Sequence, residues 1–533
     1  MDPTPSDPRR PSRGSESGKI ARAVGVLSSA TLLSRVLGLL RDVVLAAAFG
    51  AGGALDAFFV AFRLPNTLRR LFAEGSLTVA VVPVFVETLE TGGDGQAHRL
   101  GRRAFTLLGV VLALVSAAGV WGAPALVRAT AWGFLRDPDK FALTVHLTRL
   151  VFPFIALVGL TALAGGMLNA WGVFSYPALA PVVLNLCMIA AVVGLAGVVS
   201  PPVESLAYGV LAGGLLQLAL QWPPLRRRGF RFRPDFRWGD PAIRKILRLM
   251  GPTVFGVAVY QVNILVSTFL ASWLPDGSVS YLYYAERLFQ LPLGVFAVSL
   301  GTASLPSLSR LAARGDREGF RRTLAEALRM TGFIVLPAAA GLLVLARPIL
   351  VVLLQRGAFD AATVEATARA LVWYAVALLP VAGVRVLAPA FYALQDTRTP
   401  VWAAFWSLWV NLAASLVLMG PMLHAGLALA TALSSGFNFV YLALHLRRRV
   451  GLVVGSRAWR CLGRTAAATG VMAALVLAGA RVPSWGAGSA ASAAALGGLV
   501  AGGAAAYLGA ARLLGLSDAA RLLGLLSRRL GGG

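Results

Sequence analysis

The sequence predicts an all-α integral membrane protein of fourteen transmembrane helices, set as two six-helix lobes around a central cationic cavity, with a further helix pair at the C-terminal end. Three observations predict it. The chain divides into long apolar segments, the loops between them alternate between basic and acidic, and the first twelve segments repeat at a nearly constant offset.

The 533 residues are 57% hydrophobic and only 14% charged, with a mean hydropathy of +0.73, whereas soluble domains carry about 25% charged residues. A bilayer is crossed by about 20 consecutive apolar residues. Fourteen segments reach that length, at roughly 20–50, 55–89, 103–132, 141–170, 176–199, 203–224, 249–272, 280–311, 324–346, 349–394 (with a surface lead-in), 400–420, 423–446, 459–480 and 487–514. Residues 1–18 are rich in Pro, Ser and Arg without periodicity and read as a disordered cytoplasmic tail. The apolar stretch that follows is too long and too charged for a cleavable signal. The expected organisation is a first lobe over 19–225, a basic cytoplasmic loop over 226–248, a second lobe over 249–450, and the last helix pair and tail over 451–533.

A net charge of +26 would suggest nucleic acid in a soluble chain. Here the basic residues gather in alternate loops. Arg99, Arg102 and Arg103 follow the second segment, Arg226–Arg228 the sixth, Arg310, Arg314 and Arg317 the eighth, and Arg447–Arg449 the twelfth. The intervening loops carry Asp137, Asp139, Glu204, Asp276 and Asp360 instead. Lys and Arg mark cytoplasmic loops, so an even number of helices with both termini in the cytoplasm is expected, and no nucleic-acid partner. The loop 226–248 sets Phe230, Phe232, Phe236 and Trp238 among arginines. It reads either as an amphipathic helix on anionic lipid or as a plain orienting loop.

The repeat rests on several anchors. DAFFVAFRL at 56–64 resembles SYLYYAERL at 280–288; Arg63 and Arg287 are 224 apart, Pro83 and Pro306 are 223 apart, and so are Pro177 and Pro400. An offset of six helices leaves both halves in one orientation, with the substrate path expected between them.

The charged residues of segments 1, 2 and 8 are the candidate site. Positions seven apart nearly coincide on a helix, so Asp56, Arg63 and Arg70 share a face of segment 2, with Asn66 and Glu74 beside it. Segment 1 holds Arg35, Arg41 and Asp42; segment 8 holds Tyr283, Tyr284, Glu286, Arg287 and Gln290. A charge at the bilayer centre costs about 3 kcal/mol on insertion scales. Cations outnumber acids in the early span, so an anionic cargo is implied. Residues 56–88 as one helix would extend about 50 Å, against a hydrocarbon core of about 30 Å, and Pro65 and Pro292 are expected to bend their helices. Guanidinium suits phosphate, since its fork bonds two oxygens at once. The whole chain has only three lysines, so the choice of arginine also reflects a chain-wide preference.

Other chemistry finds no equipment. There is no Walker A loop for an ATP-driven pump, no HExxH, and no Ser/His/Asp grouping. Cys187 and Cys461 lie in apolar segments and suggest neither a disulfide nor a metal site. No catalytic and no metal-ligating residues are assigned.

SRVLGLLRD, DAFFVAFRLPNTLRRLFAEG, YYAERL, LGTASLPSLS and VLAPAFYALQDTRTP resemble the lipid II flippase (MurJ/MviN) family of the multidrug/oligosaccharidyl-lipid/polysaccharide exporter superfamily, over about residues 20–515. The resemblance implies transport rather than catalysis: undecaprenyl-pyrophosphate-linked peptidoglycan precursor (lipid II) moved across the bacterial inner membrane by alternating access. By motif, it implies substrate-binding roles for Arg35, Arg41, Arg69 and Arg287. It implies gating or charge-network roles for Asp42, Asp56, Arg63, Arg70, Glu74 and Glu286, with Asp56 near the periplasmic gate. Membrane lipids and cell-wall synthesis proteins are the other implied partners. No cofactor is implied. Sodium binds in the second lobe of some members, and no ligands for it are assigned on this sequence, which leaves sodium or the membrane potential as coupling sources. The competing readings are a flippase for another polyprenyl-linked glycan, a drug exporter, a lipid-linked glycosyltransferase, and a scaffold for division proteins. The cationic surplus argues against a drug exporter.

Overall fold

The computed structural model describes residues 13–70, 78–294, 298–451, 456–482 and 485–519, and among these it is helical with no strand. Among the described residues eight helical stretches are long and apolar enough to cross a membrane. Two compact units form. The first comprises residues 1–45, 57–128 and 137–261, and the second 46–56, 129–136 and 262–533.

The first unit is built from α1 (Arg13–Phe49), α2 (Gly53–Arg69), α3 (Thr78–Trp121), α4 (Ala123–Thr130), α5 (Pro138–Val151), α6 (Phe154–Ala170), α7 (Ser175–Leu195), α8 (Glu204–Arg227) and the start of α9 (Pro241–Ala271). Its buried core joins Phe85, Leu100 and Phe105 of α3 to Leu163, Met167 and Leu168 of α6, and to Leu225, Phe230 and Ile243. The second unit is built from α10 (Ser278–Pro292), α11 (Val298–Ala313), α12 (Arg317–Leu354), α13 (Ala361–Ala393), α14 (Arg398–Val450), α15 (Ser456–Ala480) and α16 (Ala490–Leu513). Leu308, Phe320, Val386, Leu387, Phe391, Leu442 and Leu446 form its core. A separate cluster of Phe333, Leu345, Met472, Val476 and Tyr507 seats α15 and α16 on α12, and the Tyr507 hydroxyl donates to the Phe333 carbonyl at 2.6 Å.

The duplication is visible in packing and backbone. Phe85 and Leu308, Leu163 and Val386, and Leu168 and Phe391 are each 223 apart, and each pair occupies the two cores. Left-handed residues recur 222 or 223 apart: Gly93 (φ 67°) and Gly315 (φ 68°), Gly172 (φ 74°) and Gln395 (φ 58°), Gly229 (φ 80°) and Gly451 (φ 86°). At four of these turns the amide just past the left-handed residue bonds back five residues, Val173 to Leu168, Asp396 to Phe391, Phe230 to Leu225 and Asp316 to Leu311. That closure needs a left-handed residue to satisfy the last carbonyls of the helix.

Two expectations change. The run read as one segment over 55–89 is helical to Arg69 and from Thr78, with residues 71–77 outside the described residues, and α3 continues past Glu90 to turn at Gly93. The break expected near 347–348 is absent, and α12 runs through Pro348 to Leu354. It falls instead at residues 355–360, where Gly357 is left-handed (φ 57°) and Asp360 caps α13 through the Thr363 amide at 2.8 Å. That amide holds the Asp360 carboxyl below its usual range. The loop after α8 had two readings. It is irregular from Phe230 to Asp240, not an amphipathic helix. Phe230 is buried in the core, and Asp235 and Asp240 both take the Arg103 guanidinium. The Arg237 amide, with Arg103 beside it, keeps the Asp235 carboxyl below its usual range. Of the loop's aromatic residues Phe230 alone is buried, and Phe232, Phe236 and Trp238 are exposed.

Candidate functional site

In the first unit the charges of α1 turn inward on a neighbour that the sequence reading missed. Arg41 and Asp42 are 6% and 4% exposed. The Arg41 Nη2 and Nε donate to Asp42 Oδ1 at 2.7 and 3.1 Å, and Nη1 donates to Asn185 Oδ1 on α7 at 3.0 Å. Asn185 Nδ2 donates in turn to the Ser34 carbonyl at 3.2 Å. A guanidinium, a carboxylate and a carboxamide thus satisfy one another where water is scarce, as buried charges must. The only sequence signal for Asn185 was one amide in the apolar run PVVLNLCMIA.

Arg35, six residues before Arg41, is exposed. On α2, Arg63, Arg69 and Arg70 are half-buried, and Arg69 Nε donates to Asn66 Oδ1 at 2.9 Å. Glu74, expected to pair with Arg70, lies outside the described residues.

In the second unit Asp56 is 1% exposed. Its Oδ2 accepts the Gly277 amide at 2.8 Å, and its Oδ1 accepts the Ser280 amide at 2.9 Å and the Ser280 hydroxyl at 2.7 Å. These are the orphan donors at the N-terminus of α10, where a carboxylate is also favoured by the helix dipole. The same region is packed backbone against backbone. The Ala358 amide donates to the Ala47 carbonyl at 2.9 Å. A Cβ on Gly357 would lie 2.2 Å from that carbonyl oxygen, and one on Gly133 would lie 2.2 Å from the Ser272 oxygen. The Arg136 guanidinium sits 4.5 Å from the Trp273 ring centre. Segments 46–56 and 129–136 are therefore keyed into the second unit by close contacts that only glycine permits.

Further along α10, Arg287 is exposed, with Nη2 3.2 Å from the Tyr283 hydroxyl oxygen and its guanidinium 5.3 Å from the Tyr283 ring centre. Glu286 accepts from Gln290 Nε2 at 2.8 Å. Within the first unit the predicted residues thus include Arg41–Asp42 with Asn185 and Arg69 with Asn66, and within the second Asp56 on α10 and Arg287 with Tyr283. Among the described residues no group of three His, Cys, Asp or Glu side chains is placed to hold a metal ion.

A duplicated all-helical chain, with long apolar helices and guanidinium networks inside them, has the build of a multi-pass membrane transporter. A family model described as lipid II flippase MurJ matches residues 45–495. The probable lipid II flippase MurJ of Vibrio cholerae is 40% identical over 431 residues, covering 79% of this chain and 82% of that protein. The lipid II flippase MurJ of Burkholderia cenocepacia is 40% identical over 442 residues, covering 82% and 86%. Among solved structures, a lipid II flippase MurJ in an inward closed conformation matches with a TM-score of 0.76 at 24% identity, over 91% of this chain and 98% of that one. An inward-facing MATE family multidrug transporter of the MOP superfamily matches with a TM-score of 0.66 at 14% identity, over 81% and 98%; these likenesses concern the fold. The chain belongs to the lipid II flippase MurJ family.

Proposed function

We propose that this chain carries lipid II from the cytoplasmic to the outer leaflet of the inner membrane, with both termini in the cytoplasm. The observation that carries the reading is the buried Arg41 network in a chain of this family. Guanidinium groups in a membrane span are costly, and an anionic headgroup is a ligand such groups can neutralise. In the proposed cycle Arg35, Arg69 and Arg287 bind the pyrophosphate, each offering several charge-assisted hydrogen bonds. Arg41, locked by Asp42 and Asn185, joins them by exchanging a protein partner for phosphate oxygen. Arg63, Arg70, Glu74 and Glu286 adjust the local charge balance. The undecaprenyl chain stays in lipid.

Asp56 on the N-terminus of α10 closes the outer side. Neutralising the cations by pyrophosphate lowers the cost of closing the inner side, and release of the Asp56 contacts then opens the outer one. After the headgroup leaves, the cationic carrier is drawn back by a membrane potential worth about 2.3 kcal/mol per charge per 100 mV. Cell-wall synthesis proteins are the expected consumers of the delivered precursor.

In cells depleted of their own lipid II flippase, the wild-type chain is expected to restore growth and translocation of labelled lipid II. Arg35→Ala, Arg41→Ala and Arg287→Ala, expressed to the same level, are expected to fail. Rescue by all three would remove the site assignment.

A further inference from the structure

The repeat gives each unit one basic turn, and the two differ in how their charge is balanced. At the Gly93 turn a cavity of about 370 Å³ is lined by Arg99, Arg103 and Lys245. It is largely neutralised from within, because Arg103 bonds Asp235 and Asp240, and Lys245 bonds Glu87. At the Gly315 turn a cavity of about 310 Å³ has Leu311, Phe320, Leu394 and Val450 in its wall and Asp316, Arg317 and Arg449 as its charged lining residues. Residues 310–322, 396–398 and 447–449 around it carry nine arginines and three acids. All three acids are committed. Asp396, 8% exposed, takes Arg449 at 2.8 Å and the Thr399 hydroxyl at 2.6 Å. Glu318 takes Arg321 and Arg322, and Asp316 accepts the Gly319 amide. Arg317 has no carboxylate partner among the described residues.

We propose that this second cavity binds an anionic glycerophospholipid of the cytoplasmic leaflet, its phosphate on Arg317 and Arg449 and the start of an acyl chain on Leu311, Leu394 and Val450. A cationic rim over an apolar wall selects an amphiphile rather than a free anion, and basic pockets among membrane helices on the cytoplasmic side are suited to such headgroups. The depth is right as well. The cavity lies at the ends of the apolar helices α12, α13 and α14. Trp402, Phe405 and Trp406 start one turn beyond Arg398, are 53%, 40% and 48% exposed, and pack edge to face. Exposed aromatic side chains of this kind concentrate at the membrane–water interface. The proposal rests on the cytoplasmic placement of the basic loops proposed above.

The test is native mass spectrometry of the purified full chain in detergent, titrated with phosphatidylglycerol or phosphatidylcholine. The wild type is expected to retain phosphatidylglycerol at least fivefold better. Arg317→Gln should lower that retention about fivefold, the weight of one basic residue at an anionic surface, and Arg317→Glu should lower it further. Arg99→Gln, in the self-neutralised cavity, should leave it unchanged. Because Arg317 bonds no acid, its variants are expected to keep the wild-type melting temperature. Equal retention of phosphatidylglycerol by wild type and both Arg317 variants would overturn the proposal. So would displacement of the lipid by an equal concentration of glycerol phosphate, which would mark a free-phosphate site. Leaflet is read separately, by labelling a cysteine at Arg314 in intact cells; reaction from outside would overturn the cytoplasmic assignment whatever the lipid does.

Discussion

Arg41→Ala is expected to cost about 3–5 kcal/mol of stability, the usual result of removing one partner of a buried ion pair, and to abolish translocation. The substitution takes from Asp42 the guanidinium it accepts at 2.7 Å, and takes from Asn185 its donor at 3.0 Å. Two further variants separate scaffold from substrate. Arg41→Lys keeps the charge but cannot reach Asp42 and Asn185 together with a planar fork, so it should recover part of the stability. Arg41→Gln combined with Asp42→Asn replaces the charged pair by amides and should recover most of it, because no charge is then left buried. If Arg41 acts on pyrophosphate, that stable double variant still fails to translocate. Thermal unfolding in detergent and lipid II translocation, measured on the same preparations, give the two readouts. A double variant that is stable and active would show Arg41 to be scaffold alone.

Asp56→Ala is the second large effect. It deprives three donors at the start of α10 of their acceptor at once. Hydrogen bonds to a charged group contribute about 1.5–3 kcal/mol each, so a loss on the order of 4 kcal/mol from the closed arrangement is expected. The Gly133 and Gly357 contacts remain, so the chain should still fold. A cysteine at Ser278, buried in the native arrangement, then becomes reactive to a membrane-impermeant thiol reagent, and steady-state transport falls at least tenfold. Unchanged labelling in a folded Asp56→Ala protein would remove Asp56 from the closure.

Much of the architecture was legible because membrane helices obey a strong rule. Every backbone group must be satisfied inside the segment, so apolar length alone finds most of them. The repeat was legible in Pro83 and Pro306, or Pro177 and Pro400, and its reach into core pairs such as Phe85 and Leu308 follows from it. Helix ends were less legible. The apolar segments were divided at 347–348, whereas the helix ends before the left-handed Gly357 and the next one starts at the Asp360 cap. The loop after α8 left a surface helix and a plain loop both open, because burial of Phe230 is set by tertiary packing that no local pattern reports. The same limit applies to the site. Arg41, Asp56 and Arg287 stood out as charges in apolar sequence, whereas their partners Asn185, Ser280 and the Gly277 amide come from residues 144, 224 and 221 positions away from Arg41 or Asp56. Only the fold could supply them.

The most direct test of an arginine-lined pyrophosphate carrier is transport in proteoliposomes loaded with fluorescent lipid II, its arrival in the outer leaflet read by an added impermeant quencher. The wild type is expected to move lipid II, and the Arg35→Ala/Arg287→Ala protein, folded and inserted, to move it about a hundredfold more slowly, the loss of two charge-assisted contacts. Transport by that double variant within twofold of wild type would contradict the account.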